Sequence, residues 1–176
     1  ESSFEKNEIN SQVLLILGLA RMKSKNGNLA DVSLAIQNFK KGYIIDKKSK
    51  IGLECLTYYL YGVYEKIKQE NFLSSNEYIE IKNFFLEAKS SFSYNEKLYH
   101  GMSLINIKTT DVVFRQNILK ELIDKSSFKE KTLLYEYIYN HNLRYNWSQK
   151  DFLSFLDKIK EKLEIIKLPK IQDIKK

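Results

Sequence analysis

Apolar residues return every three or four positions along most of this chain, the spacing that lines one face of an α-helix. A first helix, from about Glu8 to Lys25, carries Val13, Leu14, Leu17 and the small residues Gly18 and Ala20 on its apolar face. A second runs from about Ala30 to Asp46, with Ala35, Phe39 and Gly42 spaced four and then three apart. Small residues on either side of a large one let a neighbouring helix approach while the ring fills the gap. The turn Asn26-Gly27-Asn28 separates the two, and Asp31 is placed as an N-cap or first-turn acid. A third helix, from Lys50 to about Glu70, bears Leu53, Leu56, Leu60, Val63 and Ile67, with Tyr58, Tyr59, Tyr61 and Tyr64 distributed around it.

Ser74-Ser75-Asn76-Glu77 reads as a capping box opening a fourth helix. Its Ile81, Phe85 and Ala88 repeat the spacing of Ala35, Phe39 and Gly42, 46 residues on. A fifth helix, from about Asn95 to Ile107, places Gly101 as Gly18 and Gly62 are placed on the first and third, at separations of 44 and 39 residues. Glycine inside a helix costs about 1 kcal/mol relative to alanine, so its recurrence argues for close helix crossings. The sixth helix, Thr110 to Lys125, has a face of Val113, Ile118 and Leu122 and no small residue where the pattern calls for one. A further box at Ser127-Phe128-Lys129-Glu130 opens a seventh helix, to about Leu143, and Ser148-Gln149-Lys150-Asp151 opens an eighth bearing Phe152, Phe155, Leu156, Ile159 and Leu163. Pro169 closes the ordered part, giving one helical domain over 1–168 and a flexible basic tail over 169–176.

From Leu17 to Asp46 the order is Leu17-Gly18 on one helix, an extended turn with Gly27 and Asp31, then Ala35, Phe39, Gly42 and the ending Ile45-Asp46. That stretch resembles a tetratricopeptide repeat, and its longer turn is similar to the Sel1-like variant. The resemblance implies an all-α fold, a short right-handed solenoid of seven or eight helices in antiparallel pairs. It also implies a concave surface, built mainly by the first helix of each pair, that takes a peptide or a partner's helix. Arg21, Tyr58, Tyr61 and Lys97 are the candidates for that surface: tyrosines give contact area at low entropic cost, and cations steer an acidic partner. The competing reading is that the tyrosines only fill space between helices. Carboxylate clamps of the family use several Lys, Arg and Asn side chains at set positions, and that set does not map onto this chain.

Lys and Arg number 29 against 22 Asp and Glu, a net charge of +7. Much of this alternates with acids along helix faces, as on a solvated surface. Two denser groups, Lys40, Lys41, Lys47, Lys48 and Lys50, and Lys158, Lys160, Lys162, Lys167 and Lys170, support an alternative as a basic all-α nucleic-acid-binding protein. Against it, arginine is confined to Arg21, Arg115 and Arg144. Cys55 is the sole cysteine, so no internal disulfide forms, and it reads as a buried helical thiol. His100 and His141 lack a second ligand at metal spacing; His100 reads as a packing residue beside Gly101 and His141 as a helix-end histidine. With no phosphate loop or nucleophile motif, a non-catalytic scaffold or adaptor is expected, with no cofactor and no metal. The longest apolar run, Val13 to Ala20, is too short to span a bilayer. The start at Glu1 without methionine suggests removal of a tag, signal sequence or lipoprotein leader, and with it a setting as a bacterial envelope lipoprotein or secretion accessory, membrane-attached only through such an anchor.

Overall fold

The computed structural model describes residues 10–23, 29–106 and 111–125. Every regular element among them is helical, and none is a strand: α1 Ser11–Met22, α2 Leu29–Ile45, α3 Lys50–Glu70, α4 Ser75–Ser91, α5 Glu96–Ile105 and α6 Val112–Lys125. The Asn26-Gly27-Asn28 turn, the seventh and eighth helices, His141, the second lysine group and the 169–176 tail fall outside the described residues. Contacts divide the chain into two compact units, Glu1–Thr109 and Thr110–Lys176. No described helix is long and apolar enough to cross a membrane.

Local chemistry sets the helix ends. Side chains of Asn10, Ser49, Ser74 and Asn95 each accept the backbone N–H three residues on, at Val13, Gly52, Glu77 and Leu98. Each satisfies one of the orphan donors of a helix N-terminus, worth about 0.5–2 kcal/mol. At the far end of α3, Asn71 takes the left-handed conformation, φ 53°, and its N–H bonds back to the Ile67 carbonyl at 2.8 Å.

In the first unit, consecutive helices run antiparallel. Ser11 bonds Asp46, Leu14 faces Gly42 and Gly18 faces Phe39, so partner numbers fall on α2 as they rise on α1. Gly42 against Cys55 and Ile36 against Gly62 give the same sense for α2 and α3. So do Tyr59 against Phe84 and Lys66 against Glu77 for α3 and α4. Alternate helices touch as well: α3 contacts both α1 and α5. From α2 and the turn after it to α4, Lys40 reaches Glu80 at 2.7 Å and Lys47 reaches Glu87 at 2.8 Å. Each of those pairs is 40 residues apart, so these two helices run parallel.

The small–large–small faces lie at the centre of this packing. Ala35, Phe39, Ile81, Phe85 and Ala88 are wholly buried, and Gly42 is buried with them. The recurring glycines sit at crossings. A Cβ on Gly18 would strike the Phe39 ring, one on Gly62 would lie 2.9 Å from Ile36, and one on Gly101 would lie 3.0 Å from Leu60. Burying rings the size of Phe39 and Phe85 contributes about 1.5–3 kcal/mol each.

Two faces differ from the sequence expectation. On α1 the buried residues are Ser11, Leu14, Leu15 and Gly18, whereas Val13, Leu17 and Ala20 are exposed. The run from Val13 to Ala20 is apolar throughout, so its periodicity carries no phase, and contact with α2 chooses the buried side. In the second unit, Asp111 caps α6 by accepting from Phe114 N–H, and Ile118 and Leu122 are buried. Val113, expected beside them, is exposed.

Candidate binding groove

Lys50, Leu53, Glu54, Thr57, Tyr58 and Tyr61 recur at intervals of three and four and so share one face of α3. Across from them stand Phe92, Ser93, Tyr94, Asn95 and Lys97, from the α4–α5 connection and the first turn of α5. Between the two walls lies an open groove of about 510 Å³. The connection is short and extended because Phe92 ends α4 at φ −122°, ψ 153°, and Asn95 immediately caps α5. That turn brings Phe92 and Tyr94 up to α3.

Leu53 and Thr57 are the buried residues of the groove lining. Thr57 donates its hydroxyl to the Leu53 carbonyl at 2.9 Å, which spends its proton within the helix. Tyr58 stacks on Phe39 at 5.7 Å, so the groove wall rests on the ring packed between Gly18 and Gly62. Tyr94 lies 4.8 Å from Tyr99, which meets Phe85 edge-on at 5.1 Å. Both walls are thus continuous with the core.

Tyr61 holds the groove's far end. Its hydroxyl is 3.3 Å from the Lys97 carbonyl and 2.9 Å from His100 Nδ1. A phenol has one proton to give. With it on the carbonyl, Nδ1 must carry a hydrogen and donate to the phenol oxygen; with it on Nδ1, the carbonyl bond is lost. Burial, followed by the influence of Tyr58 and Glu96, pushes the Tyr61 hydroxyl up to about 12, so it remains a neutral donor at neutral pH. Lys50, Glu54 and Lys97 are exposed at the rim.

Of the four residues expected at a partner-binding surface, Tyr58, Tyr61 and Lys97 line this groove together. Arg21 is not among its lining residues and sits half-buried in the last turn of α1. Lys50, Glu54 and Thr57 join them, and their spacing from Tyr58 and Tyr61 places them on the same face. The Phe92–Asn95 wall carries no periodic pattern, and its local mark in the sequence is the start of the fifth helix near Asn95. The first lysine group divides: Lys40 and Lys47 engage Glu80 and Glu87, while Lys50 turns to the groove.

Cys55 is fully buried with its thiol 3.6 Å from the Ser11 carbonyl, and burial, then Glu54 and Asp46, push it up to about 11. It is therefore a protonated packing group at neutral pH. Among the described residues, no cluster of three or more His, Cys, Asp or Glu is arranged to hold a metal ion. The groove offers aromatic surface, neutral hydroxyl donors and rim charges, a set suited to non-covalent recognition. Compared with protein-family models, curated proteins and solved structures, the chain matches none.

Proposed function

We propose that this chain is a non-catalytic scaffold that binds a peptide or helix of another protein in the α3–α5 groove. We further propose that its helices are tetratricopeptide-like units of the Sel1-like kind, stacked as a short right-handed solenoid. The arrangement of antiparallel neighbours, with α3 touching both α1 and α5 and with α2 parallel to α4, supports that stacking. Helix pairs of this kind complete their cores only against neighbouring pairs.

The observation that carries the binding reading is the convergence of Tyr58, Tyr61 and Lys97 on one open groove. Half-buried tyrosines beside exposed lysines provide area and steering with little ordering cost. A nucleic-acid role draws less support, because Lys40 and Lys47 are occupied by glutamates and Glu54 lies among the groove residues. A photo-crosslinking side chain at position 58 tests the reading, with one at exposed Lys41 as control. A discrete protein adduct formed at 58 and not at 41, reproduced with purified components, is the expected result. Adducts only to nucleic acid, or equal labelling at both positions, would overturn it.

A further inference from the structure

Tyr61 lies eleven residues beyond Lys50 on the same face of α3, roughly 16 Å along the helix axis. The Tyr61 hydroxyl meets the Lys97 backbone, so Lys97 marks the end of the groove away from Lys50. Among the described residues, neither lysine forms an ion pair, whereas Lys40, Lys47, Lys66, Lys68 and Lys125 all do. The groove thus presents an unmatched cation at each end and apolar surface between them, from Leu53, Tyr58 and Phe92. Glu54, one turn from Lys50, is its single carboxylate.

An extended chain rises about 3.3 Å per residue, and alternate side chains share a face. Residues i and i+4 are then roughly 13 Å apart, and flexible lysine stems close the remaining distance. We infer that the groove takes an extended peptide with acidic residues at i and i+4 and an aromatic or large aliphatic residue at i+2. This rests on the proposed peptide-binding role and adds to it the partner's charge, spacing and conformation. The acid at the Lys97 end is held by the stronger contact, because Glu54 opposes an anion near Lys50. A polyanion such as single-stranded nucleic acid fits less well, since charge is wanted only at the ends and Glu54 repels it along the way.

Fluorescence anisotropy with three labelled probes separates these possibilities: a Glu-Ser-Phe-Ser-Glu peptide flanked by Gly-Ser, its Lys-Ser-Phe-Ser-Lys counterpart, and oligo-deoxythymidine. The acidic peptide should bind the wild-type chain more tightly than the basic one. Each of Lys50→Glu and Lys97→Glu should weaken it by about three- to tenfold, in line with exposed ion pairs being replaced by repulsion. The double reversal should invert the preference, and Glu54→Gln should tighten acidic-peptide binding. Lys50, Glu54 and Lys97 are exposed, Tyr58 is half-buried, and matching thermal melts establish that each variant folds. Equal binding of both peptides, unchanged by the reversals but lost in Tyr58→Ala, would overturn the charge pattern and leave the peptide groove standing. Absence of binding by either peptide would overturn both. Tighter binding of oligo-deoxythymidine that displaces the acidic peptide would overturn the inference in favour of a nucleic-acid ligand.

Discussion

Replacing Gly18 by alanine sets two opposing effects against each other. Glycine in the middle of a helix is worth about 1 kcal/mol less than alanine, so the change would stabilise an isolated α1. In the folded chain the new methyl meets the Phe39 ring, with two ring atoms at 2.7 Å and a third nearer still. Phe39 has no room to yield: it is wholly buried, stacks on Tyr58 at 5.7 Å and approaches the Gly62 crossing on its other edge. Overpacking of that kind costs about 1–3 kcal/mol, so after the helix-propensity gain the net effect should be a loss of up to about 2 kcal/mol. Urea unfolding of Gly18→Ala, Phe39→Leu and the double variant provides the measurement. Because the smaller Leu leaves space for the methyl, the double variant should be more stable than the sum of the singles by about 1 kcal/mol or more. Gly62→Ala is the internal comparison. Its nearest neighbour is Ile36 Cγ1 at 2.9 Å, a milder approach than the ring at Gly18, so it should lose less than Gly18→Ala. A stabilising Gly18→Ala, or strict additivity with Phe39→Leu, would refute the claim that this glycine exists for the crossing.

Gly52→Ala should cost more than Gly18→Ala, about 2 kcal/mol or more, because its Cβ would overlap the Asp46 backbone carbonyl, which cannot rotate aside; denaturant midpoints compare the two directly. Ser74→Ala and Asn95→Ala should each lower stability by about 0.5–2 kcal/mol, measured by thermal unfolding, with Ser74→Gly losing less than Ser74→Ala. Cys55 titrates at 9.0 unperturbed and about 11 when folded, so the folded state holds the proton more tightly. Its contribution is complete below pH 9 and is lost as pH climbs toward about 11, a decline that should be shallower in Cys55→Ala when urea midpoints are followed with pH. The exposed Lys47–Glu87 pair should show a coupling of about 0.2–1 kcal/mol in a double-mutant cycle, fading in about 1 M salt.

Much of the first unit was legible because its signals are local. Ser74, Asn95 and the three-and-four spacing fix where helices begin and which side faces inward, and α3 spans the residues its pattern assigns, Lys50–Glu70. The buried sets around Phe39 and Phe85 were equally plain, since polar residues flank them and give the period a phase. Where that contrast is missing the reading fails: α1 is apolar on every side between Val13 and Ala20, and only its contact with α2 selects Leu14, Leu15 and Gly18. The groove was half legible. Tyr58, Tyr61 and Lys97 come together, but the wall from Phe92 to Asn95 belongs to a connection with no periodicity, and its position follows from how α4 ends and α5 starts. Arg21 illustrates the remaining limit, because a cation at a helix end is compatible with several surfaces until neighbours are placed.

The ion pairs that α4 makes with α2 and the turn after it respond to the medium differently from the packing of α3 on α5. These links stand in water, where dissolved ions weaken them over a screening distance of about 10 Å at 0.1 M salt. The fastening of α3 to α5 is made by Leu60 against Gly101 and by the Tyr61–His100 contact, close-packed arrangements that the medium reaches far less. One set of links is therefore sensitive to salt and the other is not, and the salt-sensitive set sits beside the edge-on contact of Tyr43 with Phe84 at 5.2 Å. Raising the ionic strength would loosen the Lys40–Glu80 and Lys47–Glu87 pairs and leave in place both the Tyr43–Phe84 ring contact and the α3–α5 crossing beside the groove.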